Sequence, residues 1–139
     1  MRTYSASAGE RRLRVDGLAV ACGPDVSVCF GGGEAPHIGA VALGIPRPSL
    51  MDPDAPSASA SVLCVTGHKE DELARAAAFE LATALQCRVS VSIGLHVDDA
   101  STADIRELTA NYRATLGRII ELLCEERDCT DEKKMTNGG

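Results

Sequence analysis

The segment from Ser59 to Asp99 constrains the fold of this chain more than any other. Two apolar runs, SASVLCVT (59–66) and RVSVSIGLHV (88–97), flank KEDELARAAAFELATALQ (69–86), which has the composition and period of an amphipathic helix. A helix that returns across a sheet between two strands makes those strands parallel, with a right-handed crossover. The carboxyl ends of both strands then lie on one edge of the sheet, and the residues that follow each strand meet there.

Three further strands are predicted before this unit. The segment 11–23 reads as a strand with an irregularity near Asp16-Gly17, and VSVCF (26–30) alternates as a half-buried strand does. A third strand is predicted within 34–45, and the proline-rich segment 46–59 is predicted to be a long loop. The order β-β-β-β-α-β-α predicts an α+β fold, with a mostly antiparallel sheet, a terminal βαβ crossover and two helices packed on the sheet.

The last helix and the domain limits follow from local signals. Ser101 is a predicted N-cap with Asp104 three residues later, and the helix is expected to end near Leu123. We expect one domain over 11–123, a flexible lead over 1–10, and a flexible tail over 124–139.

Composition and charge exclude two classes of function. The chain has 20 acidic and 14 basic residues, a net charge of −6, no Trp, two Phe and two Tyr. A nucleic-acid-binding protein needs basic patches and stacking rings, so that class is not favoured. No apolar run approaches the about 20 residues of a membrane span, and the first residues lack the apolar core of a signal peptide. We therefore expect a cytoplasmic protein.

The six cysteines contain no CxxC pair, so neither a zinc knuckle nor a thioredoxin motif is present. We predict free, mostly buried thiols that pack as small hydrophobic groups. Cys64 in particular is expected to be buried in its strand, which argues against a Cys-based catalytic triad.

All three histidines lie within two residues of a glycine: His37 in APHIGA, His68 in TGHKE and His96 in GLHVDD. One interpretation is a single polar site gathered from three turns. The other is three unrelated turn residues, because polar residues beside glycine are common in turns. A metal site with Asp98 or Asp99 is less favoured, because neither HxH nor HExxH occurs.

An anion site is a further interpretation. Thr66-Gly67-His68-Lys69 opens a helix directly after a strand, where free backbone N–H groups and the helix dipole attract phosphate. The acidic residues at 70–72 already complement that dipole, which weakens the signal. The glycine triplet 31–33 allows another group to approach the backbone closely, but it matches no known phosphate loop.

Three segments resemble the small prenylated-flavin chaperone-like family, which is related to the D subunit of bacterial gallate decarboxylase. They are GGGEAPHIGAVALG, VTGHKEDELARAAAFELATAL and VSVSIGLHVDDASTADI, and the resemblance spans roughly 11–123. The element order also looks like that of proteasome-assembly chaperones, whose fold pairs a sheet with two helices and commonly dimerises.

The resemblance implies an accessory protein rather than a catalyst. Such a protein binds prenylated flavin mononucleotide (FMN) or passes it from a flavin prenyltransferase to a decarboxylase of aromatic acids, and a homodimer is expected. The implied cofactor-binding residues are His37, Gly39, Gly67, His68, Lys69, His96 and Asp98. His68 and Lys69 would meet phosphate, and His37 and His96 would position a polar ring edge. The scarcity of aromatic residues departs from a self-sufficient flavin pocket.

Two alternatives remain open beside that function. In one, the chain is an assembly or interaction module and the Gly-His turns are structural. In the other, it is a small enzyme on a phosphorylated or carboxylated substrate, with His68 or His96 as acid–base.

Overall fold

The computed structural model describes residues 1–65 and 70–138, except for the side chains of 129–134 and 137. Its elements in chain order are β1 (Thr3–Ala8), a 3-10 turn (Arg11–Leu13), β2 (Val15–Cys22), β3 (Asp25–Gly33), β4 (Ala40–Pro48), β5 (Pro56–Cys64), α1 (Asp71–Leu85), β6 (Val89–His96) and α2 (Thr102–Asn137).

The strands form one sheet in the order β1-β2-β3-β6-β4-β5. Only β3 and β6 are parallel neighbours, and every other pair is antiparallel. The prediction of an α+β fold with a mostly antiparallel sheet and two helices is confirmed. β5 and β6 do run in the same direction, but β4 lies between them, so α1 crosses over one intervening strand.

Both helices pack on one face of the sheet. In β2 and β3 every second residue is buried, as expected of strands with one covered face. The ring of Phe30 on β3 meets that of Tyr112 on α2 edge to face, with centroids 5.3 Å apart. Gly44 on β4 allows the α1 backbone to approach at Ala78. No helix within the described residues packs on the opposite face of the sheet, which we call the uncovered face.

Two predicted boundaries are corrected at the sheet. Thr3–Ala8, predicted to lie in a flexible lead, forms edge strand β1 against β2. Tyr4 and Ala6 turn toward the core, but most side chains of this strand are small, so its sequence shows no clear apolar alternation. The predicted loop 46–59 shortens to 49–55, because the β4 and β5 strands pair as far as Pro48 and Pro56.

Helix α2 continues well past its predicted end at Leu123, reaching Asn137. The sequence of the added segment, CEERDCTDEKKMTN (124–137), is mostly polar and has no apolar period, although Glu, Lys and Arg are good helix formers. Arg127, near the start of this added segment, binds it to the domain by donating to the carbonyl oxygens of Leu85 at 3.2 Å and Pro24 at 2.8 Å. The limits of the domain as an independent folding unit stay a prediction.

The cysteines are free where their side chains are described, but the expectation that most are buried is wrong. Cys87 is buried and Cys124 half-buried, whereas Cys22, Cys29 and Cys64 are exposed. Cys29 points from β3 to the uncovered face, and Cys64 ends edge strand β5. A strand buries both sets of side chains only when both faces of its sheet are covered.

Candidate functional site

The carboxyl edge of the sheet gathers several connecting segments. β3 and β6 end together there, with Gly33 paired to His96, and β4 starts there because it is antiparallel to β6. Residues 34–39 and 97–101 therefore cross the same edge, beside the start of α1. Crevices outside the carboxyl ends of strands are common ligand sites in open sheets that contain parallel strands.

Two of the three histidines meet at this edge. The ring centroids of His37 and His96 lie 6.5 Å apart, and the rings are inclined by 78°. The segment 66–69, with the predicted site residues Gly67, His68 and Lys69, lies outside the described residues. The structure thus brings together residues from two turns that are far apart in sequence.

Glycines in β3 and β6 bring His37 into position. A Cβ on Gly94 would overlap the backbone carbonyl of His37 and come within 2.9 Å of its Cγ. A Cβ on Gly31 would lie 3.1 Å from the Cβ of Pro36. Because Gly31 and Gly94 have no side chains, the segment 34–39 lies directly on the uncovered sheet face.

A third glycine holds the neighbouring backbone of His96. Gly33 has a φ of +77°, and a Cβ there would overlap the His96 carbonyl group. That carbonyl accepts a hydrogen bond from the Glu34 N–H at 2.7 Å. The space beside Gly33 is therefore filled by the chain itself, namely by β6 and by the connection that follows β3.

Both ring nitrogens of His37 face acceptors. Nδ1 lies 2.9 Å from the carbonyl oxygen of Ala35, which can only accept, so Nδ1 carries a proton. Nε2 lies 3.1 Å from Oε1 of Glu70. A proton is therefore shared between His37 and Glu70, either as an ion pair or as a neutral imidazole beside a carboxyl group.

Glu70 is the site residue that sequence reasoning missed. It reads as an acidic residue suited to the helix dipole, yet it is only 8% exposed and its side chain turns back to His37. Gly39, a predicted site residue, makes room for it, because a Cβ there would lie 2.5 Å from Oε2 of Glu70. Gly39 therefore has a structural role beside His37.

His96 forms a second acid–base pair, with Asp98. Nε2 of His96 lies 2.8 Å from Oδ1 of Asp98, and both side chains are at least half exposed. A carboxylate on one ring nitrogen favours the tautomer that keeps the other nitrogen, Nδ1, as an acceptor. Asp98, whose place in the site comes only from the family resemblance, therefore lies against His96, and both side chains are exposed to solvent.

Arg12 connects the segments around these residues. Its guanidinium donates to Glu34 and to the backbone carbonyl of Asp98, both at 3.4 Å, and to the carboxylate of Asp104. Asp104 also closes the predicted capping box with Ser101 at the start of α2. Hydrogen bonds from Ser101 hold the pKa of Asp104 below its ordinary value. The connections at this edge are therefore held by polar contacts.

The chemistry available at the edge is that of imidazoles and carboxylates. Among residues 1–65 and 70–138, no group of three or more His, Cys, Asp or Glu is arranged to hold a metal ion. Phe30 and Tyr112 are buried in the core, Tyr4 lines a cavity between β1 and the middle of α2, and Phe79 lies midway along α1 beside Ala60 of β5. The edge can therefore exchange hydrogen bonds and protons with a ligand but offers little stacking surface.

A comparison with models of protein families assigns the chain to one family. The family model of the prenylated flavin chaperone LpdD-like domain matches residues 9–124. The chain belongs to the prenylated flavin chaperone LpdD-like family. No curated protein matches the chain.

Membership of the prenylated flavin chaperone family indicates an accessory role. The match covers every strand from β2 onward, α1, the part of α2 up to Cys124 and the edge that carries His37, Glu70 and His96. Within the described residues, no helix is long and apolar enough to cross a membrane.

Proposed function

We propose that this protein binds prenylated FMN, or FMN itself, at the carboxyl edge of its sheet and hands it to a decarboxylase that acts on aromatic acids. The observation that carries the proposal is the meeting of His37 and His96 on an open edge, in a chain of the prenylated flavin chaperone family. The flavin prenyltransferase is the proposed donor. We expect the protein to work in the cytoplasm as a homodimer.

The residues at the edge fit the polar part of a flavin. The pyrimidine ring of a flavin presents two carbonyl oxygens and an N–H on one side. Nδ1 of His96 can accept from that N–H, because Asp98 lies on the other ring nitrogen. Both ring nitrogens of His37 face acceptors of the chain itself, so His37 is proposed to position the ring edge beside His96 by the contact of its ring and not by a hydrogen bond. Asp98 orients His96, and Gly39 admits Glu70 behind His37. Gly67, His68 and Lys69 remain the proposed contacts to phosphate, on the resemblance alone.

The same geometry suits transfer rather than permanent retention. A site with few stacking rings binds a flavin mainly through hydrogen bonds, which contribute about 1 kcal/mol each. His96 is 52% exposed, so its contacts are open to exchange with water. An accessory protein has to release its cofactor, and a shallow polar edge allows that.

The test is to co-express the protein with a flavin prenyltransferase and to record its absorbance spectrum and mass spectrum. We expect the wild-type protein to carry a flavin, and His37→Ala and His96→Ala to lower its occupancy by about fivefold to tenfold. Arg118→Ala, an exposed substitution on α2, is the matched control and should retain the flavin. A colourless wild-type protein that also fails to bind added FMN refutes the proposal.

Transfer needs a separate measurement. Flavin-loaded protein is mixed with cofactor-free decarboxylase, and the flavin absorbance is followed after the two are separated. We expect the absorbance to move to the decarboxylase and its activity to appear with the same time course. Flavin that stays on the accessory protein contradicts the handover.

The uncovered sheet face favours a second candidate, an interaction module without a small ligand. Five large apolar side chains are exposed there: Leu18, Val41, Leu43, Ile45 and Leu63. In that case the protein would bind its partner equally well with His37 and His96 replaced by Ala.

A further inference from the structure

Strand β5 forms one edge of the sheet, and no strand that the structure describes pairs with its outer side. On its inner side, the Val65 N–H donates to the Gly39 carbonyl at 2.8 Å. At the other end of the same ladder, the Ser49 N–H donates to the Ala55 carbonyl at 2.8 Å. Hydrogen-bonded pairs alternate along an antiparallel ladder. Odd-numbered residues of β5 therefore bond to β4, and even-numbered residues point their backbone groups outward.

The outward backbone groups in the middle of the strand belong to Ala58, Ala60 and Val62. One independent contact agrees with that direction, since the Arg75 guanidinium on α1 donates to the Ala60 carbonyl at 3.2 Å. A carbonyl oxygen has two lone pairs, so Ala60 can still accept from another N–H. The outer side of β5 therefore offers three N–H groups and three carbonyls to an added strand.

This edge lacks the features that usually prevent a sheet edge from pairing. Such edges are commonly short, or they carry a bulge, a proline or a charged residue. Strand β5 is nine residues long, its register with β4 is unbroken, and its proline, Pro56, stands at its first position. The sequence SASASVLCV (57–65) contains no charged residue. The edge is therefore open to pairing with another strand.

Beside this edge, α1 leaves room for one apolar side chain. A hollow of about 360 Å³ lies between β5 and the outer side of α1, and it is lined by Ala60, Arg75, Ala76, Phe79 and Glu80. Phe79 is 42% exposed there. In a paired strand, the residue opposite Ala60 has its side chain on the same face of the sheet as Ala60. That side chain would therefore enter the hollow and contact the Phe79 ring.

The charge at the hollow specifies a second feature of the added strand. Among the described residues, Arg75 is bonded to the Ala60 carbonyl and forms no ion pair with a carboxylate. Arg75 lies one helical turn before Phe79, and Glu80 lies directly after it. An acidic side chain on the Arg75 side of the hollow would therefore be attracted, whereas one beside Glu80 would be repelled.

We infer that β5 is the docking edge for the partner decarboxylase, which adds an extended segment of its own chain to the sheet as a seventh strand. The segment has an apolar residue opposite Ala60 and an acidic residue at the next position on the same face, beside Arg75. In such added strands the main-chain hydrogen bonds supply affinity and the alternate side chains supply specificity. The identity of the partner rests on the proposed function, whereas the open edge rests on the register.

The position of the edge favours the decarboxylase as its occupant. Strand β5 ends at the carboxyl edge of the sheet, where Val65 is bonded to Gly39. Gly39 in turn lies against Glu70, which contacts His37. A strand added to β5 therefore brings the partner beside the proposed flavin site, so that the cofactor has a short path to the decarboxylase.

A second copy of this chain suits the same edge less well. Two β5 strands could pair with each other through their outward groups. However, β5 contains no acidic residue, so such a pair leaves Arg75 of both copies without a carboxylate. The charge at the hollow therefore favours a different chain as the occupant.

The test is hydrogen exchange of single backbone amides, measured by NMR on the protein alone and on its complex with cofactor-free decarboxylase. In the free protein we expect the amides of Ala58, Ala60 and Val62 to exchange fast and those of Ser59 and Ser61 to exchange slowly. Binding should slow the three even-numbered amides at least about tenfold and leave the odd-numbered ones nearly unchanged.

Proline substitutions test the same hydrogen bonds through affinity. Ala60→Pro removes an outward N–H and keeps the bonds to β4, and edge strands tolerate proline at such positions. It should weaken decarboxylase binding at least about tenfold. Ser5→Pro on β1, the other edge of the sheet, is the matched control. The Ser5 N–H also points outward, because the Arg2 carbonyl accepts from Ala21 on β2, and this variant should bind as the wild type does.

A side-chain substitution tests the hollow without changing the backbone. Phe79→Ser should weaken decarboxylase binding about fivefold to tenfold, because the apolar anchor of the added strand loses its main contact. Met135→Ser, which is 83% exposed near the end of α2, is the matched control and should bind as the wild type does. Circular dichroism checks that all four variants are folded.

Other results would overturn the inference. A decarboxylase that binds and receives flavin while the even-numbered amides stay unprotected excludes β5 as the docking edge and leaves the proposed function intact. Protection of those amides without flavin transfer supports the docking edge and refutes the handover. A decarboxylase that does not bind overturns both. Even-numbered amides that become protected in the protein alone as its concentration rises would place a second copy on β5 and refute the decarboxylase as its occupant.

Discussion

Replacing Gly94 by Ala tests how the site is built. The new Cβ would overlap the carbonyl group of His37, which is backbone and cannot rotate away. The segment 34–39 therefore has to lift from the sheet, and overpacking of this kind costs about 1–3 kcal/mol. Lifting it also separates His37 from buried Glu70, a loss of about 1 kcal/mol. Ala recovers about 0.5–1 kcal/mol of backbone entropy relative to Gly. The net expected effect is a free energy of unfolding about 2 kcal/mol lower.

The assay is urea unfolding followed by circular dichroism, with the midpoint and the slope fitted separately. We expect a lower midpoint with an unchanged slope, because the unfolded chain exposes the same surface. Gly117→Ala is the matched control, for which we expect the free energy of unfolding to rise rather than fall. Nothing lies within 4 Å of a Cβ at Gly117 on α2, so this change should stabilise the helix by about 0.5–1 kcal/mol.

The comparison of the two glycines gives the refuting result. If Gly94→Ala unfolds at the same urea concentration as the wild type, or at a higher one as expected for Gly117→Ala, then His37 does not lie on β6 in solution. The contact between His37 and Glu70 would then not be part of the site in solution. A destabilised Gly94→Ala that also loses flavin would connect the packing of 34–39 to cofactor binding.

Three further predictions concern single side chains. Ser101→Ala removes the hydroxyl group that caps α2 and should lower the free energy of unfolding by about 1 kcal/mol in the same urea assay. Tyr112, whose hydroxyl group donates to the Leu73 carbonyl at 3.1 Å, has a pKa raised by burial. Its folded form stays protonated while the unfolded form ionises, so stability should fall as the pH rises above about 10, and Tyr112→Phe should weaken that fall in alkaline melts. Burial also raises the pKa of the Cys87 thiol, so an alkylating reagent should label exposed Cys29 in the native protein, and Cys87 only after unfolding.

Local patterns were sufficient for much of the fold. The capping box of Ser101 and Asp104 depends on residues three apart, so it is readable without any tertiary contact. The alternation in VSVCF predicts β3, and the apolar period of 69–86 predicts α1. The direction of β5 and β6 also follows locally, because a helix that returns over a sheet leaves room for one relative orientation.

Longer-range features were not readable in the same way. The strand Thr3–Ala8 is stabilised by pairing with β2, and small side chains leave no clear period of their own. The insertion of β4 between β5 and β6 depends on which strand pairs with which, and the apolar pattern of a strand is the same beside any neighbour. Helix α2 beyond Leu123 has no apolar face to read.

The sequence by itself therefore determined the element types and the α+β class. It also indicated that His37 and His96 lie beside glycines near the ends of strands. Only the tertiary structure decided that these two rings meet and that Glu70 turns away from solvent to His37. It also decided that His37 lies on β6 in the space left by the missing side chain of Gly94. The physical reason is that short-range patterns report hydrogen bonding and burial along one segment. Contacts between segments depend on the strand order and on the space that each glycine leaves free.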